Sequence, residues 1–234
     1  MWAELTSTPL FGVGLTVFVY FVAQSLYRRS RNLLLNPVAV SIAFIILFLL
    51  LTKTPYDNYL MGGRMILFLL GPSVVALALP LYRQRKEINR NRWPILIGVF
   101  CGAVVSIVTA CGLAWLLGGT EKVVISMAPK SVTTPIAIGI VEKIGGISEL
   151  TAVIVVLTGC IGAICGPEFC RLIGLKSSTA VGLAVGTASH GIGTARMLEV
   201  DHLAGAVAGL AIGLNGLVTA LLLPAIFVLF QYFW

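Results

Sequence analysis

Two short runs of this chain bring together residue types that do chemistry. The first is Pro129-Lys130-Ser131-Val132-Thr133-Thr134-Pro135, which sets an ammonium group, three hydroxyls and two prolines in apolar surroundings. At membrane depth an ammonium group is costly unless it meets water, a counter-charge or carbonyls. The prolines interrupt the helix and leave backbone amides free. Ammonium, hydroxyls and free amides together suit a small anion: the lysine supplies charge, and the other groups supply directed donors. Lys130, Ser131, Thr133 and Thr134 are therefore candidate substrate contacts. The competing reading is a short loop, with Lys130 snorkelling to the surface and the hydroxyls capping helices.

The second run is Thr187-Ala188-Ser189-His190-Gly191-Ile192-Gly193-Thr194-Ala195-Arg196. Ser189, His190 and Thr194 repeat the first run's ingredients. His190 changes charge near neutral pH, so it can bind a carboxylate or relay a proton, although a lone histidine is more often a hydrogen-bonded core residue. Arg196 either clamps a carboxylate or anchors a helix end by pairing with Glu199. Asn215, a lone polar residue in the last apolar run, either bonds across helices or lines the path. Helix breaks are expected at Pro72, Pro129, Pro135 and Gly191. Ser189 and His190, adjacent on a helix, point apart and make no triad. Without a phosphate loop or metal-ligand spacing, no enzyme, cofactor or metal is expected. The cysteines at 101, 111, 160, 165 and 170 read as small packing residues.

The elements that must position these runs are membrane helices. Hydrophobic residues make up 58% of the 234 positions and charged residues 11%, too apolar for a water-soluble exterior. The net charge of +7 sits in short loops between apolar runs, which argues for membrane topology and against nucleic-acid binding. The uncharged runs are Pro9–Leu26, Pro37–Thr52, Met65–Tyr82, Trp93–Leu117, Leu150–Gly166, Ser177–Ala195 and Leu203–Trp234. The first follows Glu4, not a basic stretch, and reads as a spanning helix, not a cleaved signal. Met65–Tyr82, with Gly71-Pro72 and Pro80, is interrupted, as are 123–141 and 177–195.

An internal repeat is expected as well. Thr134 to Pro167 and His190 to Pro224 each describe a broken apolar segment, a short link and a Gly/Ala-rich helix, and the two separations differ by one residue. The fold class is an all-α integral membrane protein: a polytopic bundle of about seven or eight membrane segments, two of them broken or re-entrant, with an inverted repeat. Residues 1–234 form one transmembrane domain, in which 1–122 are N-terminal helices and 123–176 and 177–234 are the repeat units. Both termini are expected outside. With hairpins, ten basic residues, Arg31 and Lys176 among them, lie inside against four outside; with full crossings the balance is ten against five, so the choice stays open. Gly205, Gly209, Gly213 and Gly216 form a helix-packing stripe, and a homo-oligomer is expected.

The two polar runs, with Asn36-Pro37 and Ala76-Leu77-Ala78-Leu79-Pro80-Leu81-Tyr82, resemble the LrgB/CidB family in order and spacing over nearly the whole chain. One departure is Gly191, where some members carry alanine. The resemblance implies two functions. One is antiholin-like modulation of murein hydrolase activity and lysis, with a small LrgA/CidA-type membrane partner. The other is transport of small monocarboxylates, as in a plastidic glycolate/glycerate transporter and in bacterial pairs linked to pyruvate uptake. A bacterial cytoplasmic (inner) membrane location follows from it. The buried cation beside a broken helix favours the carrier, with a small carboxylate as substrate and the lipid bilayer as surroundings.

Overall fold

The computed structural model describes residues 4 and 6–233 except 31, 33, 34 and 77; the side chains of 70, 73, 74 and 229–233 are outside that description. Arg31 and Leu77, used above for topology and resemblance, fall outside the described residues, as does Trp234. Every regular element among the described residues is helical. They gather into two compact units, Met1–Leu79 and Pro80–Trp234.

The first unit begins with α1 (Pro9–Ser30), α2 (Pro37–Thr52) and α3 (Tyr56–Phe68). Asn36 starts α2 as expected: its side chain accepts from the Val38 and Ala39 amides, and Pro37 occupies the first turn, where no donor is needed. At the crossing of α1 and α3, a Cβ on Gly12 would strike the Tyr59 carbonyl and one on Gly62 the Pro9 carbonyl. The Thr16 hydroxyl meets the Tyr59 hydroxyl at 2.8 Å beside that crossing.

The interrupted run around Pro72 differs from expectation. Helix α3 starts at Tyr56, nine residues before Met65, with Arg64 inside it. The break falls at Leu69, whose N–H bonds back to Ile66 in a tightened turn, and α4 (Leu70–Ala76) carries Pro72 within its first turn. The reason is local. Pro72 has no N–H for the carbonyl four residues earlier, that of Phe68, so the ladder gives way upstream of the proline. Helix α5 (Ala78–Arg83) follows.

In the second unit, α6 (Arg85–Arg90) leads into α7 (Arg92–Leu116). Two short helices, α8 (Glu121–Met127) and α9 (Thr134–Ile144), flank the first polar run. Then come α10 (Ser148–Leu172), α11 (Ser178–Val200) and α12 (His202–Phe233). Among the described residues, four helices are long and apolar enough to cross a membrane: α1, α7, α10 and α12 through Val228. Helix α2 is apolar but shorter. Pro167 and Pro224, expected to end their units, lie inside α10 and α12. Within a membrane bundle, neighbouring helices can re-satisfy the carbonyls such prolines release.

Side-chain size is sorted inside out. Phe18, Leu51, Phe68, Trp115 and Leu172 are exposed, while the interior is rich in Ala, Val, Ser and Thr, with a few larger residues such as Ile95 and Met197. Large apolar side chains outward and small ones inward is the arrangement lipid selects, because close backbone approach replaces the hydrophobic drive between helices. With the long apolar helices, this makes the chain a multi-pass α-helical membrane protein. The glycine stripe is only partly used: a Cβ would strike Leu198 at Gly205 and Ile136 at Gly216, whereas one at Gly209 or Gly213 would meet nothing within 4 Å.

Candidate functional site

Helix α11 is continuous in name only. At His190 the backbone takes φ 42 and ψ −138, and the chain turns back on itself. Ser178, at its start, donates to Asp201 Oδ2 at 2.9 Å. A straight helix would hold these residues about 34 Å apart. The reversal falls at His190, one residue before the expected Gly191. A φ this positive is strained for a residue with a side chain. Local bonds hold it: the Thr194 hydroxyl donates to the His190 carbonyl at 2.9 Å, and the imidazole bonds the Val155 carbonyl of α10 at 2.8 Å. A carbonyl only accepts, so Nε2 carries the proton. The ring fits because Gly159 leaves room; a Cβ there would strike it.

The first polar run folds back too. From the end of α7 the chain descends alongside that helix: the Cys111 thiol donates to the Val124 carbonyl, and Ser106 meets Ser131 at 2.6 Å. Residues 128–133 make tight turns, with Lys130 N–H bonding Met127 O and Val132 N–H bonding Pro129 O. Helix α9 then returns. Its far end is tied to the descending limb by the Ile147 amide, which donates to Ser126 Oγ at 2.7 Å, and by Thr151, which donates to the Ser126 carbonyl. Pro129 is buried in the turn, and Pro135 sits in the first turn of α9.

The two turns meet. Asn215 of α12, 1% exposed, donates from one amide nitrogen to the Ser131 carbonyl at 3.1 Å and the Thr187 carbonyl at 3.0 Å. Beside this bridge the Lys130 ammonium donates to Ser106 Oγ and Ser131 Oγ, both at 3.3 Å. Charge-assisted bonds are normally shorter, about 2.7–2.9 Å. No carboxylate pairs with Lys130 among the described residues. Ser106, Ser131, Asn215 and Thr219 line a crevice with no room for a water molecule, so the site is closed upon itself. The return limbs, α9 and the half of α11 after His190, both start here. Each presents first-turn amides that lack an intrahelical acceptor.

The expected site residues therefore divide. Lys130, Ser131 and Asn215 come together. Thr133 and Thr134 open α9, and Thr133 makes no side-chain cap bond. Ser189 is buried against Gly162 and Gly193. Thr194 is committed to the His190 carbonyl, and His190 to Val155, so both shape the reversal. Arg196 pairs with Glu199 at 3.2 Å on the return limb, the partner that the anchor reading names. Two residues were missed. Ser106 lies in a run that reads as an ordinary span, where it and Thr109 are the hydroxyls of an otherwise apolar stretch. The Thr187 hydroxyl is buried at the junction with no hydrogen-bond partner among the described residues, and its methyl group packs at Gly102.

Comparison with known proteins gives a consistent family. The model described as the LrgB-like family matches residues 16–229. An uncharacterised protein of Haemophilus influenzae is 36% identical over 94% of this chain and 95% of its own. The holin-like protein CidB of Staphylococcus epidermidis is 33% identical over 92% of this chain and 94% of its own. The uncharacterised protein YxaC of Bacillus subtilis is 36% identical over 93% and 94%. No solved structure matches the chain.

Proposed function

The chain belongs to the LrgB-like family, and on that premise we propose that it carries a small monocarboxylate such as glycolate, glycerate or pyruvate across the membrane by alternating access. One observation carries the reading. Lys130 is an ammonium group without a carboxylate partner among the described residues, held by serine hydroxyls just before the start of α9. Ser106 is fourteen residues from Arg92 and ten from Leu116, so Lys130 lies near the middle of α7. A cation at that depth calls for a mobile anion.

In this reading segments 121–147 and 178–201 are re-entrant hairpins that enter from opposite faces and meet at mid-membrane. The ties of Ile147 to Ser126 and of Ser178 to Asp201 support this, because each returns a segment to the side it left. The hairpins with α10 and α12 then form an inverted repeat. The substrate carboxylate meets Lys130 and the first-turn amides of the return limbs. Its second oxygen function meets Ser131, Thr187, Thr133 or Thr134. Opening the site on either side requires the Asn215 bridge to part. The protein acts by binding and moving its substrate, with no catalytic step, and a homo-oligomer is part of the proposal.

Uptake into vesicles containing the purified protein tests this. Labelled glycolate or pyruvate should enter saturably with the wild type and not with Lys130→Ala, provided the variant inserts and stays monodisperse. A wild type without saturable uptake of any small monocarboxylate sinks the carrier reading.

The name of the Staphylococcus epidermidis relative favours a second reading, a holin-like protein, and the partner proposed with it is a small LrgA/CidA-type membrane protein. It calls for leakage of unrelated solutes, unaffected by Lys130→Ala. Activity that appears only on co-reconstitution would identify the partner as obligatory.

A further inference from the structure

At the far end of the second unit, about 17 Å from the tips by the rise of one hairpin limb, lies a cavity of about 170 Å³. Its apolar wall is Pro167, Val181, Met197 and Ala204, and its rim carries Arg171 and Lys176. Met197 and Ala204 are buried, while Arg171 and Lys176 are exposed.

The charges at the rim do not cancel. Asp201 also borders the cavity and leaves the rim one net positive charge, while its oxygens turn to the protein: Oδ1 accepts from the Ala204 amide at 2.8 Å and Oδ2 from the Ser178 hydroxyl at 2.9 Å. No ion pair engages Arg171 or Lys176 among the described residues. Two cations above an apolar wall fit an anion that carries hydrocarbon. A small hydrophilic acid would leave that wall unfilled.

The end of the unit is the basic one. Ile88 and Ile95 pack with Leu203 and Val207, which sets the start of α7 beside the α11–α12 junction. Arg85, Lys86, Arg90 and Arg92 therefore share this end with Arg171 and Lys176, while Lys122 and Lys143 belong to the other. The positive-inside rule makes this the cytoplasmic side. Basic pockets between helices on that side suit anionic headgroups.

We propose that this cavity is a specific site for an anionic phospholipid of the cytoplasmic leaflet, its phosphate between Arg171 and Lys176 and its first acyl carbons against Val181 and Met197. Lipid held there would brace the junction of α10, α11 and α12, the mouth of one hairpin. The site is independent of what the tips carry.

Native mass spectrometry of the detergent-purified protein tests it with phosphatidylglycerol and phosphatidylcholine of identical chains. The wild type should retain phosphatidylglycerol on the order of tenfold more strongly, from two basic contacts. The preference should vanish in Arg171→Gln/Lys176→Gln and survive in the charge-keeping swap Arg171→Lys/Lys176→Arg, each checked for monodispersity. Glycerol phosphate, the headgroup without chains, should not compete. Equal retention of the two lipids, a preference that survives the double glutamine variant or is lost in the swap, or full competition by glycerol phosphate would each overturn the proposal.

Discussion

At the scale of single residues, Asn215 carries the most structural weight. Its amide is shared between two carbonyls from segments far apart in sequence, one from each tip. Removing a buried donor costs about 1–3 kcal/mol for groups left unsatisfied. Asn215→Ala should therefore lower the thermal midpoint in detergent. Asn215→Asp should lower it further at neutral pH, because it sets a carboxylate oxygen against two carbonyls. If both variants melt with the wild type, the bridge does not hold the tips. Asp201 offers a pH test outside the spans. The Ala204 amide, aided by the Ser178 hydroxyl and the neighbouring His202 and opposed by partial burial, holds its carboxyl below the usual range. A depressed folded value means the unfolded chain takes up the proton first. Its stabilisation is therefore complete above the ordinary carboxylate value, about 3.9, and is lost as pH falls through the folded value. Melting curves at decreasing pH should show this acid loss, and Asp201→Asn should blunt it. As the cap of α12, Asp201 contributes about 1 kcal/mol at neutral pH.

At the scale of elements, the reversal at His190 and the approach of α12 decide the second hairpin. A residue at φ 42 and ψ −138 pays strain of about 1–3 kcal/mol that glycine avoids. His190→Gly should thus keep the reversal and offset much of the lost bond to Val155, whereas His190→Leu keeps the strain and loses the bond. The leucine variant should melt clearly below the glycine variant; the reverse order would show that the strain is not there. On the other side of the limb, a Cβ on Gly182 or Gly186 would strike the Ala204 or Ala208 backbone. Gly186→Ala should destabilise by about 1–3 kcal/mol, as overpacking does.

The same elements show what is legible in a sequence. Proline and hydroxyls marked the first broken run, glycine and hydroxyls the second, and hydrophobic length marked the spans. The position of each break was less legible. Around Pro72 the ladder yields at Leu69, where the missing donor is felt, and in α11 a histidine adopts the conformation that glycine composition assigned to Gly191. Ser106 and the two hydrogen bonds from Asn215 were hidden for another reason. They join residues 25 to 84 positions apart, and such pairings leave no local pattern in one chain.

At the scale of the whole molecule, the open question of topology becomes a concrete expectation. Charge alone scarcely separated full crossings from hairpins, because the choice moves few basic residues. The hydrogen bonds add what charge lacked. Ile147 returns to Ser126, and Asp201 returns to Ser178. With α7, α10 and α12 as crossings, Lys122 and Lys143 then share one face, and Arg90, Lys176 and His202 share the other. Single cysteines at Lys143, Lys176 and His202, in a variant lacking the native thiols, can be probed with a membrane-impermeant maleimide on intact cells. Cysteine in place of Lys143 should label from outside. Cysteines in place of Lys176 and His202 should label only after permeabilisation. Full crossings reverse the result at Lys176, so outside labelling there would refute the hairpins. It would also remove the opposed entry on which a mid-membrane meeting of Lys130, Thr187 and Asn215 depends.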